Sequence, residues 1–294
     1  MKVFVLGAAG MAGHVIALKL KNAGYEVLCL ARKPLAYCDT IVSDVREIAK
    51  VKEIIINQKI DVVVNAIGIL NSAVDSNFAN AVWINSYLPH ALVEITKNTS
   101  TRIIHLSTDC VFSGSVGGYL ESDFCCSTDN YGKTKAAGEI KDDKNLTIRT
   151  SMIGADMNED GIGLFNWFMK QTGSIKGYDK AIWTGVTTNV LAEAIDAAIS
   201  QNTSGLYHLT NNRPISKYNL LRLFNKLRVS PVNIELCSSH VVDKSLINTR
   251  TDFNFEVSDY EDMIAQLSKW ISSKQTLYKH YVEIVGARLA STAL

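Results

Sequence analysis

A glycine turn near the start of the chain constrains the fold more than any other feature. Gly7-Ala-Ala-Gly10-Met-Ala-Gly13 follows a short β-rich run, Lys2 to Leu6. It leads into residues 11–22, where Met11, Val15 and Leu18 recur at helical spacing. Glycine is required where a turn is tight and where backbone must come close to a pyrophosphate. A helix N-terminus then offers free N–H groups and the positive end of its dipole to the phosphates. A bare glycine triplet would be a flexible turn, but strand, glycines and helix in this order meet the context of a dinucleotide-binding turn. Gly7, Gly10, Met11 and Gly13 are therefore the expected phosphate cradle.

The rest of the first half repeats the same alternation. Gly24 closes the helix, and Glu26 to Leu30 reads as a second buried strand. Val45 to Gln58 reads as a helix, Asp61 to Asn65 as a strand, Ala79 to Lys97 as a helix and Arg102 to Leu106 as a strand. Tyr131 to Glu139 lies on a helix and Leu146 to Arg149 begins a further strand. Such alternation implies a parallel sheet covered on both faces. After Ser151 the pattern loosens. Gly161 to Gly177 reads as an aromatic-bearing helix flanked by glycines, Val190 to Ile199 as an amphipathic helix and Leu206 to Leu209 as a strand. Residues 216–227 and 259–272 read as helices. The expected fold is α/β: a Rossmann-type doubly wound parallel sheet in residues 1–150, rejoined by 184–212, with a smaller C-terminal α+β substrate lobe, mainly 151–294. The tail 286–294 is weakly patterned and is expected to be frayed or partly appended.

Composition removes several function classes. Thirty Lys and Arg balance 29 Asp and Glu, so no basic excess points to nucleic acid. No apolar run is long enough for a membrane span, and the apolar start reads as a core strand rather than a signal peptide. The six cysteines form no Cys-x-x-Cys pair, which fits reduced cytosolic thiols better than a disulfide frame, and no ligand cluster implies a metal. A cytoplasmic location is expected.

The coenzyme and the chemistry can be read from strand ends. An acid is needed at the end of the second strand to hold a 2′-hydroxyl, as in NAD-preferring sites. Leu30-Ala31-Arg32-Lys33 has none, and Arg32 and Lys33 suit a 2′-phosphate, favouring NADPH with NADH as the alternative. Asp44 and Val45 are placed beside the adenine, and Asn65-Ala66-Ile67-Gly68 lines the crevice at the fourth strand's end. Tyr131 and Lys135 stand four apart on one helix face, where an ammonium can lower a phenol's pKa and make it a better acid. That spacing alone usually marks a solvated helix face. A hydroxyl at Ser107 or Thr108, ending a buried strand, adds a partner for a substrate carbonyl.

Ser107-Thr-Asp-Cys-Val-Phe-Ser-Gly114 and Tyr131-Gly-Lys-Thr-Lys-Ala-Ala-Gly-Glu139, together with the glycine turn, resemble the extended short-chain dehydrogenase/reductases. More narrowly they resemble the dTDP-4-dehydrorhamnose reductase group. Arg149-Thr-Ser151 and Gly205-Leu-Tyr-His-Leu-Thr210 extend the resemblance, which runs from Met1 to about Trp270. It implies Thr108 as the carbonyl-binding hydroxyl, Tyr131 as proton donor, Lys135 as coenzyme-binding activator and Asn85 as a coenzyme-site residue. It also implies a nucleotide-linked 4-keto-6-deoxyhexose as substrate, with Asp109, Arg149, Trp183 and Arg250 as candidates to hold it. A homodimer is the assembly to test. A nucleotide-sugar epimerase and a non-catalytic coenzyme-binding regulatory subunit are the alternatives. Dehydratases of the superfamily carry a glutamate after the Thr-Asp, where this chain has Cys110.

Overall fold

The computed structural model describes residues 1–285. The expected frayed tail, 286–294, lies outside the described residues. The first half consists of β1 (Lys2–Leu6), α1 (Met11–Asn22), β2 (Glu26–Ala31), β3 (Asp39–Val42), α2 (Ile48–Asn57), β4 (Val62–Asn65), α3 (Ser72–Ser76), α4 (Phe78–Ala81), α5 (Leu88–Thr96), β5 (Arg102–Ser107), α6 (Asn130–Ala137) and β6 (Leu146–Arg149). The second half adds β7 (Met152–Ile153), α7 (Leu164–Met169), β8 (Ser174–Tyr178), β9 (Ala181–Trp183), β10 (Val186–Thr187), α8 (Thr188–Ser200) and β11 (Gly205–His208). It ends with β12 (Ile215–Ser216), α9 (Lys217–Asn225), β13 (Asn233–Cys237), β14 (Val242–Asp243) and α10 (Tyr260–Ser273).

Seven strands form one parallel sheet in the order β11-β6-β5-β4-β1-β2-β3. β1 and β4 are almost wholly apolar and buried on both faces, as a covered parallel sheet requires. One core packs α1 and α8 against one face, and a second packs α2 and α5 against the other. Strand order reverses beside β1, and such a switch opens a crevice outside the carboxyl ends. Register places Leu6 beside Asn65, Asn65 beside His105 and Ser107 beside Arg149, so the polar strand ends share that edge. Three small sheets, β10-β7, β12-β9-β14 and β13-β8, are built from residues after 151.

Three local expectations are corrected. Between α4 and α5, Val82–Tyr87 is π-helical; Pro89 lacks an N–H and breaks the regular ladder there. Residues 174–177, read within an aromatic helix, instead belong to β8 and pair with β13. Cys29 and Cys38, expected as free thiols, are joined as a disulfide with Cα atoms 6.5 Å apart, because the loop after β2 folds back beside its own strand.

Candidate active site

The crevice at the switch point is built by close backbone approach. Gly7 has φ +82°, and a Cβ there would lie 2.9 Å from Ile67 Cγ1 and 3.0 Å from the Ala66 carbonyl. A Cβ on Gly13 would lie 2.1 Å from the Gly7 oxygen, so α1 can sit this near β1 only with glycine. Gly10 is the N-cap of α1 and supplies no side-chain cap. By contrast, Asp129, Thr187, Ser216 and Asp259 cap α6, α8, α9 and α10 with side-chain oxygens. The first N–H groups of α1 thus face the crevice.

A cavity of about 380 Å³ opens over this turn, lined by Gly7, Gly10, Arg32, Asp44, Val45, Ala66, Ile67 and Gly68. Ser43, Arg46, Ile69, Asn80 and Ile84 also line it and were missed, since neither spacing nor a strand-end signal marks them. Arg46 grips the Asp44 carboxylate with two hydrogen bonds of 2.9 and 2.6 Å, which holds that carboxyl down at about 2. The Tyr37 hydroxyl donates to the Ala8 carbonyl at 2.6 Å, tying the β2–β3 loop to the glycine turn. Met11 and Gly13 shape the turn without lining the cavity, and Lys33 is exposed outside it. Asn85 is not in the cavity either. It is fully buried, its Oδ1 accepts from Ile69 N at 2.9 Å, and its Nδ2 donates to Ile69 O at 2.9 Å and Thr134 Oγ1 at 3.1 Å. Its amide clamps the wall behind the crevice, a correction to the expectation of coenzyme contact.

The hydroxyl left open between Ser107 and Thr108 is decided by neighbours. Ser107 Oγ donates to Glu139 at 2.8 Å and is consumed there. Thr108 Oγ1 donates to Asp109 at 3.0 Å and accepts from Cys110 N, capping the short turn Asp109–Val111. The phenol of Tyr131 is raised above its ordinary range, first by burial and then by Cys110, while the Thr108 hydroxyl facing it pulls the other way. Thr108 and Tyr131 are therefore brought together. Lys135 is buried one turn along α6, its Nζ donating to the Leu106 carbonyl at 2.6 Å. Burial lowers it to about 8, with Glu139 opposing. Turned to that carbonyl, the ammonium does not produce in the protein alone the lowering of the phenol expected from the four-residue spacing.

Beyond Thr108 lies a second cavity of about 610 Å³, lined by Asp109, Cys110, Trp167, Trp183, Lys217 and Lys244 among others. Two expected substrate residues, Asp109 and Trp183, are in it. Burial raises the Asp109 carboxyl, and Lys217 leads the opposing groups. Lys217 Nζ sits 5.1 Å over the Trp183 ring. Lys217 was missed because nothing in its pattern separates it from a solvated helix start. Arg149 and Arg250, the other two expected substrate residues, are corrected. Arg149 is fully buried and binds both Glu139 oxygens, at 2.6 and 2.7 Å, so its donors are spent inside. Arg250 donates to the Ser204 and Leu206 carbonyls at 2.6 and 3.1 Å and pairs with Asp252. Among the described residues no group of three or more His, Cys, Asp or Glu is placed to hold a metal ion, and no helix is long and apolar enough to cross a membrane.

A parallel sheet with a glycine phosphate turn, and a Thr–Tyr–Lys set at the same edge, defines a dinucleotide-binding α/β protein of the short-chain dehydrogenase/reductase kind. Within that class the chain belongs to the RmlD substrate binding domain family, whose profile matches residues 1–247. It is 28% identical over 226 residues to a dTDP-4-dehydrorhamnose reductase of Burkholderia thailandensis, covering 72% of this chain and 73% of that one. It is 25% identical over 241 residues to a dTDP-4-keto-6-deoxy-D-glucose reductase of Streptomyces niveus, covering 78% and 81%. The fold matches a dTDP-4-dehydrorhamnose reductase of Bacillus anthracis in complex with NADP, with TM-score 0.78 and 18% identity over 90% of this chain and 98% of that one.

Proposed function

We propose that this chain uses NADPH to reduce the 4-keto group of a nucleotide-linked 6-deoxyhexose. The observation that carries the reading is the Thr108 hydroxyl facing the Tyr131 phenol, with Lys135 buried one turn along the same helix and with one cavity over the glycine turn and another lined by Asp109 and Trp183. Residues 1–150, with 184–212, would hold the coenzyme, and the remainder of 151–294 would mainly hold the sugar nucleotide. The relatives' printed substrates support this class.

The residues over the turn fit a dinucleotide: two glycines stand where a Cβ would collide, and α1 is left without a side-chain cap. Gly7 and Gly10 would hold the pyrophosphate, Arg32 the 2′-phosphate and Lys135 the nicotinamide ribose. When bound, the coenzyme supplies the hydride. Thr108, on turning from Asp109, donates a hydrogen bond to the substrate carbonyl oxygen and positions it beside Tyr131. The half-buried phenol, raised above its ordinary range, keeps its proton until charge develops on that oxygen, then gives it up. The protein's further work is to orient the carbonyl and keep water from it. Trp183 offers a ring for stacking, and Lys217 and Lys244 offer cations to the diphosphate.

The test is to supply NADPH with dTDP- and UDP-linked 4-keto-6-deoxyhexoses and follow the nicotinamide absorbance. Oxidation with either supports the reading; none with both overturns it.

A further inference from the structure

Behind the catalytic set lies a side chain that this mechanism leaves unused. His105, in β5, is fully buried. Its Nδ1 is 3.2 Å from Asn65 Nδ2 and its Nε2 is 3.4 Å from Lys135 Nζ. The orientation of Asn65 is set by its other end, where Oδ1 accepts the Ile67 N–H at 3.3 Å. The amino group therefore faces the ring, and an amide NH2 only donates. Nδ1 must then be the accepting nitrogen. Burial, with Lys135 and His90 nearby, keeps the ring neutral, which leaves its single N–H on Nε2. That N–H is aimed at Lys135. An ammonium has no lone pair to receive it, whereas an amine has one.

Taking the role of Lys135 given above, we propose that His105 is a positioning residue, locked by Asn65 in the Nε2–H form, that presents a donor to Lys135 and biases it toward the amine. The other titratable groups that act on the pair are Glu139, just after α6, and His90, from α5. Of these, Glu139 favours the ammonium and burial opposes it. The result is a lysine that changes form close to working pH, instead of a permanent cation. Because the Leu106 carbonyl accepts from Nζ in either form, the side chain stays in place as its charge changes.

The deciding experiment uses the full chain and needs no substrate. Long-range proton–nitrogen correlation on histidine-labelled protein reads the tautomer, with His105→Gln supplying the assignment. The expected result is a proton on Nε2 of His105; a proton on Nδ1, or on both nitrogens at neutral pH, overturns the proposal. Lysine labelled at Cε, assigned with Lys135→Met, reads the titration of residue 135. His105→Gln offers a carbonyl oxygen to the ammonium and should move that midpoint up by about one pH unit. An unmoved midpoint overturns the proposal. Asn65→Asp is the second variant, for which the ring proton should move to Nδ1; if it stays on Nε2, Asn65 does not set the tautomer and the proposal fails. With an accepted substrate, the alkaline limb of kcat should move up in His105→Gln while KM for the sugar nucleotide holds. A lack of NADPH oxidation would overturn the reductase reading and leave the two magnetic-resonance results standing.

Discussion

Arg149 and Lys135 are both cations buried at the carboxyl edge of the same sheet, and the protein treats them in opposite ways. Arg149 binds Glu139 through two hydrogen bonds, approaches His208 Nε2 at 3.1 Å and lies 5.0 Å over the Phe112 ring. Lys135 has a carbonyl and a neutral imidazole, and no carboxylate within ion-pair distance among the described residues. Burying an ion without a counter-charge opposes folding, so such a group persists where something from outside completes it. The paired cation stabilises the joint between β6 and the segment after α6. On the proposed reading, the unpaired one is held ready for the coenzyme ribose.

The comparison can be broken most directly at Tyr131 and Lys135. Tyr131→Phe and Lys135→Met should each lower kcat by roughly 10²–10⁴-fold, the range for loss of a general acid or its support. Tyr131→Phe should leave NADP+ binding intact, as measured by fluorescence quenching. Retained turnover in either variant would remove the catalytic set. Arg149→Met should act on stability instead. It strands Glu139 and should cost about 3–5 kcal/mol by urea denaturation. Removing both charges, Arg149→Met with Glu139→Gln, should recover part of that loss; no recovery would mean that the pair is not the unit described.

A pH series sharpens the contrast. Lys135 titrates at about 8 in the folded chain, below the ~10.4 of an unfolded lysine. Between those values the native state binds fewer protons than the unfolded one, so this residue makes stability rise with pH, and its ammonium is a liability below 8. The unfolding free energy of the wild type minus that of Lys135→Met should therefore grow by up to about 3 kcal/mol from pH 8 to 10.4. A flat difference would show that Lys135 is not destabilised. The smallest effect is expected at the coenzyme rim, where Arg32→Ala should raise KM for NADPH about tenfold and leave that for NADH unchanged. An equal change for both would detach Arg32 from the 2′-phosphate.

The glycine turn, the parallel core and the Tyr131–Lys135 spacing were legible because each is a local pattern. Valines at 62–64 and the strand–turn–helix order need no distant partner to be recognised. What escaped depended on partners remote in sequence. Ser107 and Thr108 are equivalent hydroxyls until Glu139 claims the first. Arg149 and Arg250 were read as substrate cations because charge carries no label for its partner, and both partners turned out to be internal. Residues 174–178 alternate poorly and become a strand only beside β13. Lys217 gains meaning only when α9 is placed over Trp183.

The hydroxyl of Tyr37 on the Ala8 carbonyl has a practical consequence for anyone wishing to exchange one nicotinamide coenzyme for the other. The segment proposed to discriminate at the ribose and the bend proposed to hold the diphosphate are stitched by that bond. Swapping residues 32–37 wholesale would cut that stitch and loosen both coenzymes together. A preference switch should therefore alter Arg32 and Lys33 and leave the tyrosine alone.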